Sequence, residues 1–342
     1  MKRLHFLIGL MVSTTLLLAG CAPLAKETSF SHQIFAMDTI MTLTAYGDGA
    51  EEAVMAAIEE INRLDRLLST NIEQSEIYQL NETKSATLSE ESLTLLQAST
   101  DLYESTGGLF DIAIYPIVSA WGFTTQTYQV PSKETIASLL PHCDPTQIQI
   151  DGTQVTLPDE QMKIDFGGIA KGFTSDRVMD IFTEHGITSA IVTLGGNVQA
   201  LHTKPDGSPW QVAVQYLDHT DDYAITLQLD HEAAITSGSY QRFFESDGKT
   251  YHHIIDPRTG YPADSGLASV TIVSEDGTLA DGLSTSLFIM GLDEATDYWR
   301  SHSDQFDAVF ITDDGSVLVT EGLEGRYTPD SDHPVTVIPL EP

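Results

Sequence analysis

The chain has 342 residues, 41% of them hydrophobic, which is enough apolar material for one large core or two modest ones. Its 50 Asp and Glu against 16 Lys and Arg give a formal net charge of −34. So acidic a surface repels phosphate backbones and anionic lipid head groups, which argues against nucleic-acid binding and against a polybasic membrane contact; an anionic ligand must be held locally, by backbone N–H groups, a few placed cations or a metal.

The first twenty residues stand apart from the rest. Lys2 and Arg3 precede an apolar run from about Phe6 to Ala19, too short to span a bilayer comfortably, which reads as an export signal. It ends in Leu18-Ala19-Gly20-Cys21, small residues directly before a cysteine, the pattern of a bacterial lipoprotein processing site. The expectation is a signal peptide over 1–20, lipidation (palmitate) at Cys21, a tether over 21–30 and one folded domain over 31–342. An uncleaved anchor is the alternative. Either way the protein would sit at the extracytoplasmic, periplasmic face of the cell membrane. Cys143, the one other cysteine, has no internal disulfide partner, and its setting in Pro141-His142-Cys143-Asp144-Pro145 reads as a turn rather than as a nucleophile.

Along the folded part, Val54, Ile58, Ile61, Leu64 and Leu68 fall at helical spacing within 51–68, which predicts an amphipathic helix. A second helix is predicted from Ser89, a capping residue, to Gly107-Gly108, and a third from Ser132 to just before Pro141. A fourth follows Asp165-Phe166-Gly167-Gly168, runs through His185 and ends at Gly186. Ala190–Leu194 reads as a buried strand leading into Gly195-Gly196-Asn197, and 210–217, 223–229, 268–273, 306–311 and 316–320 alternate like strands. Helical periodicity returns over 280–302. The class is α+β, with mixed, largely antiparallel strands and packed helices, no strict βαβ alternation and no internal repeat. No linker divides it, so a single domain is expected, with room for two lobes around a cleft.

Four glycine-containing segments carry candidate chemistry. Thr106-Gly107-Gly108-Leu109-Phe110-Asp111 reads either as a helix end before a buried strand or as an aromatic and a carboxylate beside a flat ring. Asp165-Phe166-Gly167-Gly168-Ile169-Ala170-Lys171-Gly172 leads glycines into a helix N-terminus. Lys171 sits where the helix dipole disfavours a cation, so it is either a phosphate contact or a surface lysine. The segment is neither a Walker loop nor a dinucleotide fingerprint. Thr236-Ser237-Gly238 is followed by His252-His253-Ile254-Ile255-Asp256-Pro257-Arg258-Thr259-Gly260. Adjacent histidines on a strand face opposite ways, so one of the two can line a cleft as an acid or base. No His-Glu-x-x-His helix is present, which argues against a zinc hydrolase. Finally, Asp281 and Thr285 are four apart on a predicted helix and can converge on one Mg²⁺, or can be a capping Asp and a back-bonding Thr.

In this order the segments D-F-G-G-I-A-K-G, T-S-G, H-I-I-D-P-R-T-G-Y-P and A-D-G-L-S-T resemble the ApbE-type FAD:protein FMN transferase family, from about Phe35 to Gly291. The resemblance implies an extracytoplasmic enzyme that takes FAD as substrate with Mg²⁺ as cofactor. It would move FMN to a Thr or Ser hydroxyl of a partner flavoprotein through a phosphoester, releasing AMP. The partner would be one such as a subunit of an Nqr- or Rnf-type electron-transport complex. It also implies FAD contacts at Met37, Tyr78, Leu109, Phe110, Asp111, Asp165, Lys171 and Ile255. Metal ligands would be Asp281, Thr285 and the carbonyl of Gly168, and the base would be His253. An FAD pyrophosphatase and a non-catalytic flavin-binding lipoprotein are the competing readings. The chain departs from the family pattern at Met37-Asp38-Thr39, where Met-Gly-Thr is usual, and at Leu109, where Ala or Phe commonly precedes Phe-Asp.

Overall fold

The computed structural model describes residues 28–217, 219–330 and 332–341. The expected signal peptide, Cys21 and nearly all of the tether lie outside the described residues.

Nine strands form the principal sheet: β1 (Ser29–Ala36), β2 (Thr39–Tyr46), β3 (Ala190–Leu194), β4 (Asn197–Leu201), β5 (Ala233–Gly238), β6 (Leu267–Ser274), β7 (Asp307–Thr312), β8 (Val317–Thr320) and β9 (Val335–Ile338). They lie side by side in chain order, every pair antiparallel except β8 with β9. Between β2 and β3 the chain inserts six helices: α1 (Ala50–Leu68), α2 (Glu76–Thr83), α3 (Glu90–Ser105), α4 (Tyr115–Ala120), α5 (Lys133–Leu139) and α6 (Ala170–Glu184). Between β6 and β7 it inserts α7 (Gly277–Met290) and α8 (Leu292–Ser301).

Both faces of the sheet are covered. On one, α1 and α6 bury Val54, Ile61, Val178 and Phe182 against Met41, Leu43 and Val192. On the other, a three-stranded sheet of 210–216, 219–229 and 327–329 lays Val214, Ile225 and Leu227 against Ala234, Val309 and Ile311. β6 is covered on both faces, Val270 and Ile272 packing with Leu283 and Leu287 of α7 and Ala268 and Val273 with the three-stranded sheet, so all eight of its residues are buried, Ser269, Thr271 and Ser274 included.

The predicted helices at 51–68, 89–107 and 132–140 appear as α1, α3 and α5, the last two capped by the hydroxyls of Ser89 and Ser132. Two expectations change. The helical signal over 280–302 is two helices, because Gly291 takes φ +81° and breaks the run into α7 and α8. The stretch after Gly108 is a short 3₁₀ turn at Ile112–Ile114 rather than a strand, because the Asp111 carboxylate accepts the Ala113 N–H at 2.7 Å and caps it.

Candidate active site

A cleft of about 1240 Å³ opens at one end of the principal sheet. Its walls are the β1–β2 turn, the β3–β4 turn, the first turn of α6, the inner face of α7 and the segment His253–Ile255, just past a short strand at Lys249–His252. Met37, Leu109, Phe110, Asp111, Asp165, Gly168, Lys171, His253, Ile255, Asp281 and Thr285 all line it. Eleven of the twelve expected site residues that lie among the described residues are thus brought together. Tyr78 is the exception: it sits half-buried on α2 and is not part of the cleft wall. The helix presents its Ile77 and Leu80 to the core and leaves Tyr78 off that line.

The ambiguity between the two histidines is resolved by their hydrogen bonds. His252 turns away from the cleft, its Nε2 donating to the Ala263 carbonyl at 3.0 Å and its ring edge-on to Phe288. His253 faces the cleft, and its Nδ1 lies 3.2 Å from the carbonyl oxygen of Arg242. A carbonyl only accepts, so Nδ1 carries the proton and Nε2 keeps a lone pair. Its ring retains some solvent contact, yet the cleft walls enclose it. That enclosure, with the Arg242 charge and His252 beside it, pushes the imidazole down from 6.5 to about 3. The ring is therefore neutral at physiological pH, the form a base requires, and an arriving phosphate anion would raise its basicity.

The Asp256–Gly260 segment is the tight turn that its residues imply. The Asp256 carboxylate accepts the Arg258 N–H at 2.9 Å and pairs with its guanidinium, and Gly260 closes the turn at φ +73°. Trp121, fully buried, donates from Nε1 to the Gly260 carbonyl at 2.9 Å and packs on Tyr251 and Tyr261. The turn thus serves as an anchor for the adjoining segment on which His253 and Ile255 reach the cleft.

On the wall formed by Lys171, Asp281 and Thr285, α6 and α7 cross at close range. Gly172 and Gly277 make this possible: a Cβ on Gly172 would stand 2.1 Å from the Gly277 carbonyl oxygen. The Asp281 carboxylate, 4% exposed, accepts the Gly172 N–H on Oδ2 at 2.9 Å and the Asn197 amide on Oδ1 at 3.1 Å. The α6 N-terminus therefore spends one of its free N–H groups on Asp281, where the sequence left that group for a ligand. Lys171 Nζ stands 3.8 Å from Asp281 Oδ1. Asp176, also on α6, takes the N–H groups of Gly277 and Thr278 at 2.9 and 2.8 Å and so fixes the start of α7. Burial pushes its carboxyl upward against those bonds.

Neither bland reading of the Asp281–Thr285 pair holds. The cap of α7 is Asp276, which accepts the Leu279 N–H. Thr285 bonds sideways to Ser237 at 3.2 Å, while back-bonding to helix carbonyls falls to Ser284 and Ser286. Asp281 and Thr285 thus present hard oxygens to the cleft, with the Ser237 hydroxyl bonded to Thr285. Among the described residues no three His, Cys, Asp or Glu side chains converge. A cation here would complete its shell with carbonyl, water and substrate oxygens. That donor chemistry fits Mg²⁺ and not a structural zinc.

The profile of the ApbE family matches residues 37–310. The chain is 30% identical to the FAD:protein FMN transferase of Treponema pallidum over 94% of its length and 95% of that protein's. It is likewise 30% identical to a Klebsiella pneumoniae protein of the same name, over 88% of this chain and 94% of the other. The chain belongs to the ApbE family.

The fold agrees with known ApbE structures. The Thermotoga maritima ApbE protein superposes with a TM-score of 0.82 at 31% identity, covering 87% of this chain and 99% of the other. The Pseudomonas stutzeri flavinyl transferase ApbE gives 0.79 at 27%, covering 88% and 97%. The departure from the ApbE pattern at Asp38 has a backbone explanation. Met37 and Asp38 form the two-residue β1–β2 turn with φ +47° and +58°. Both central residues of such a turn need positive φ, which glycine takes freely and aspartate tolerates. Leu109 is buried in the core beneath the cleft, so its departure is absorbed by packing. Sequence reasoning placed Ser237 in a candidate segment without giving it a role, and missed Asn197 and Arg242 as cleft residues. Arg242 is a second cleft cation beside Lys171, brought to the cleft by the contact of its carbonyl with His253.

Proposed function

We propose that this ApbE chain is an FAD:protein FMN transferase that binds FAD in the cleft and moves its FMN half to a Thr or Ser hydroxyl of a partner protein. The carrying observation is the set of groups gathered in one cleft. His253 holds a free Nε2 lone pair, its Nδ1 committed to the Arg242 carbonyl, and lines the same cleft as Asp281, Thr285 and Lys171. The activity printed for the Treponema and Klebsiella relatives supports the same reading.

In this reaction the acceptor hydroxyl gives its proton to His253 Nε2 and its oxygen bonds the FMN phosphorus. The pyrophosphate P–O bond breaks, and AMP leaves with that electron pair. A positioned base contributes about a hundredfold to ten-thousandfold to such a step. Lys171 and Arg242 offset the anionic charge of the bound pyrophosphate in a chain otherwise rich in acids. Asp281, Thr285 and the Gly168 carbonyl would hold Mg²⁺, which when bound neutralises phosphate charge and stabilises the leaving group. Phe110 and Phe123 offer aromatic surface for the flavin or adenine ring. The cleft exceeds the roughly 300–1,000 Å³ of an ordinary small-molecule site, which leaves room for an acceptor segment beside FAD.

The same reading places the mature chain at the membrane through a lipid on Cys21, with an Nqr- or Rnf-type subunit as the acceptor class. Among the described residues no helix is long and apolar enough to cross a membrane. The test incubates the purified chain with FAD, Mg²⁺ and candidate exported flavoproteins, and reads acceptor mass and free nucleotide. Covalent FMN on an acceptor Thr or Ser with stoichiometric AMP is expected. Release of FMN and AMP without acceptor would make the chain a pyrophosphatase, and intact FAD would make it a carrier.

A further inference from the structure

The hydroxyls beside Asp281 form a chain whose proton order is set by one carbonyl. Ser284 Oγ lies 2.8 Å from the backbone oxygen of Asp281, which only accepts, so Ser284 donates there. A hydroxyl has a single proton. In the 2.8 Å contact between Ser284 and Ser237 the Ser284 oxygen must therefore accept and Ser237 must donate. Ser237, its own proton spent, accepts from Thr285 at 3.2 Å. The order runs from Thr285 to Ser237 to Ser284 to the Asp281 carbonyl. It leaves the Thr285 oxygen with lone pairs only toward the cleft it lines.

We propose that Ser237 is a positioning residue for the cation subsite: by taking the Thr285 proton it presents Thr285 to the cleft as an acceptor-only oxygen. The opposite order would aim an O–H dipole at the cation and weaken its binding. Ser284 is fully buried, so water does not reach the far end of the chain to reverse it. Ser237 sits on β5 and Thr285 on α7, so packing of that helix on that strand sets the polarity of the site. The inference rests on the reading of this corner as a Mg²⁺ subsite.

The test uses Mn²⁺ as a paramagnetic stand-in, titrated into the full chain with FAD and followed by EPR, with no acceptor and no turnover. Removing groups that orient a metal ligand typically costs about 10- to 100-fold in affinity, and that range is expected for Ser237→Ala. Ser284→Ala should weaken Mn²⁺ several-fold, because Ser237 then becomes free to donate back to Thr285. Ser237→Thr keeps the hydroxyl on a strand that accepts β-branched residues, and should restore binding close to wild type. FAD affinity, read by flavin fluorescence, should hold in all three. Wild-type Mn²⁺ affinity in Ser237→Ala overturns the proposal. So does a weakened Ser237→Ala beside an unchanged Ser284→Ala, since that pattern means Ser237 touches the metal directly. A wild-type chain that binds no Mn²⁺ overturns it together with the cation subsite. If the order of affinities holds but no acceptor is ever labelled, the transferase reading fails and this one stands.

Discussion

Gly172→Ala probes the α6–α7 crossing that carries the site. The added methyl would lie 2.1 Å from the Gly277 carbonyl oxygen and 2.8 Å from the Asp281 Cβ, both parts of α7 that no rotamer change can move. Bringing the first contact out to 3.0 Å, the shortest that real Cβ atoms show, parts the helices by roughly 1 Å. Overpacking of this kind costs about 1–3 kcal/mol. The parting also stretches the 2.9 Å bond from the Gly172 N–H to Asp281, of a charged class worth about 1.5–3 kcal/mol. The two effects overlap at one contact, so a loss of about 3 kcal/mol is expected in urea denaturation. A 1 Å displacement of reacting groups costs about a hundredfold in rate, so residual folded enzyme should show that drop in flavin transfer. Stability within about 0.5 kcal/mol of wild type together with full activity would refute the claim that this crossing places Asp281.

Other consequences follow from single residues. His253→Ala should lower kcat by about a hundredfold to ten-thousandfold with FAD affinity unchanged by fluorescence titration; an equal loss of FAD binding would make it a contact rather than a base. Burial pushes the Asp111 carboxyl up from 3.8 to about 7 against the Ala113 N–H bond. A raised carboxyl stabilises the fold most fully below the unfolded value, and that contribution is lost as pH rises from about 4 through about 7. Asp111→Asn should flatten the fall in Tm over that window, and an unchanged Tm–pH slope would contradict the burial argument. Trp121→Phe strands the Gly260 carbonyl, at a cost of about 1–3 kcal/mol by denaturation, and should loosen the turn that anchors His253. Burial likewise pushes the Cys143 thiol up to about 12, so alkylation at neutral pH should be slow and leave activity intact.

What was legible in the sequence is what periodicity and local chemistry encode. The i, i+4 spacing of Asp281 and Thr285 places both on the cleft side of α7, and Ser89, Ser132 and Gly186 end their helices as their residue types dictate. The choice between His252 and His253 was not legible, because alternation says only that they face apart. It took the Arg242 and Ala263 carbonyls, from distant segments, to assign them. Asn197 and Ser237 belong to β4 and β5, which reach Asp281 and Thr285 only through sheet order. The β1–β2 hairpin was equally hidden. Its turn is built from Met37 and Asp38 rather than from Asn-Gly, and its tip exposes Phe35 and Ile40, 70% and 58%, which breaks the usual polar signal of a turn. Tyr78 entered on family resemblance alone, and the packing of α2 keeps it out of the cleft wall.

The central claim is that His253, Lys171 and the Asp281–Thr285 corner together move FMN from FAD to a protein hydroxyl. Its most direct measurement is peptide mapping by mass spectrometry of exported flavoproteins co-expressed with the wild-type chain and with Asp281→Ala. The account predicts one Thr or Ser peptide carrying the mass of FMN, less water, with the wild-type chain and none with the variant. An FMN-bearing peptide of equal yield in both, or in neither, would contradict it.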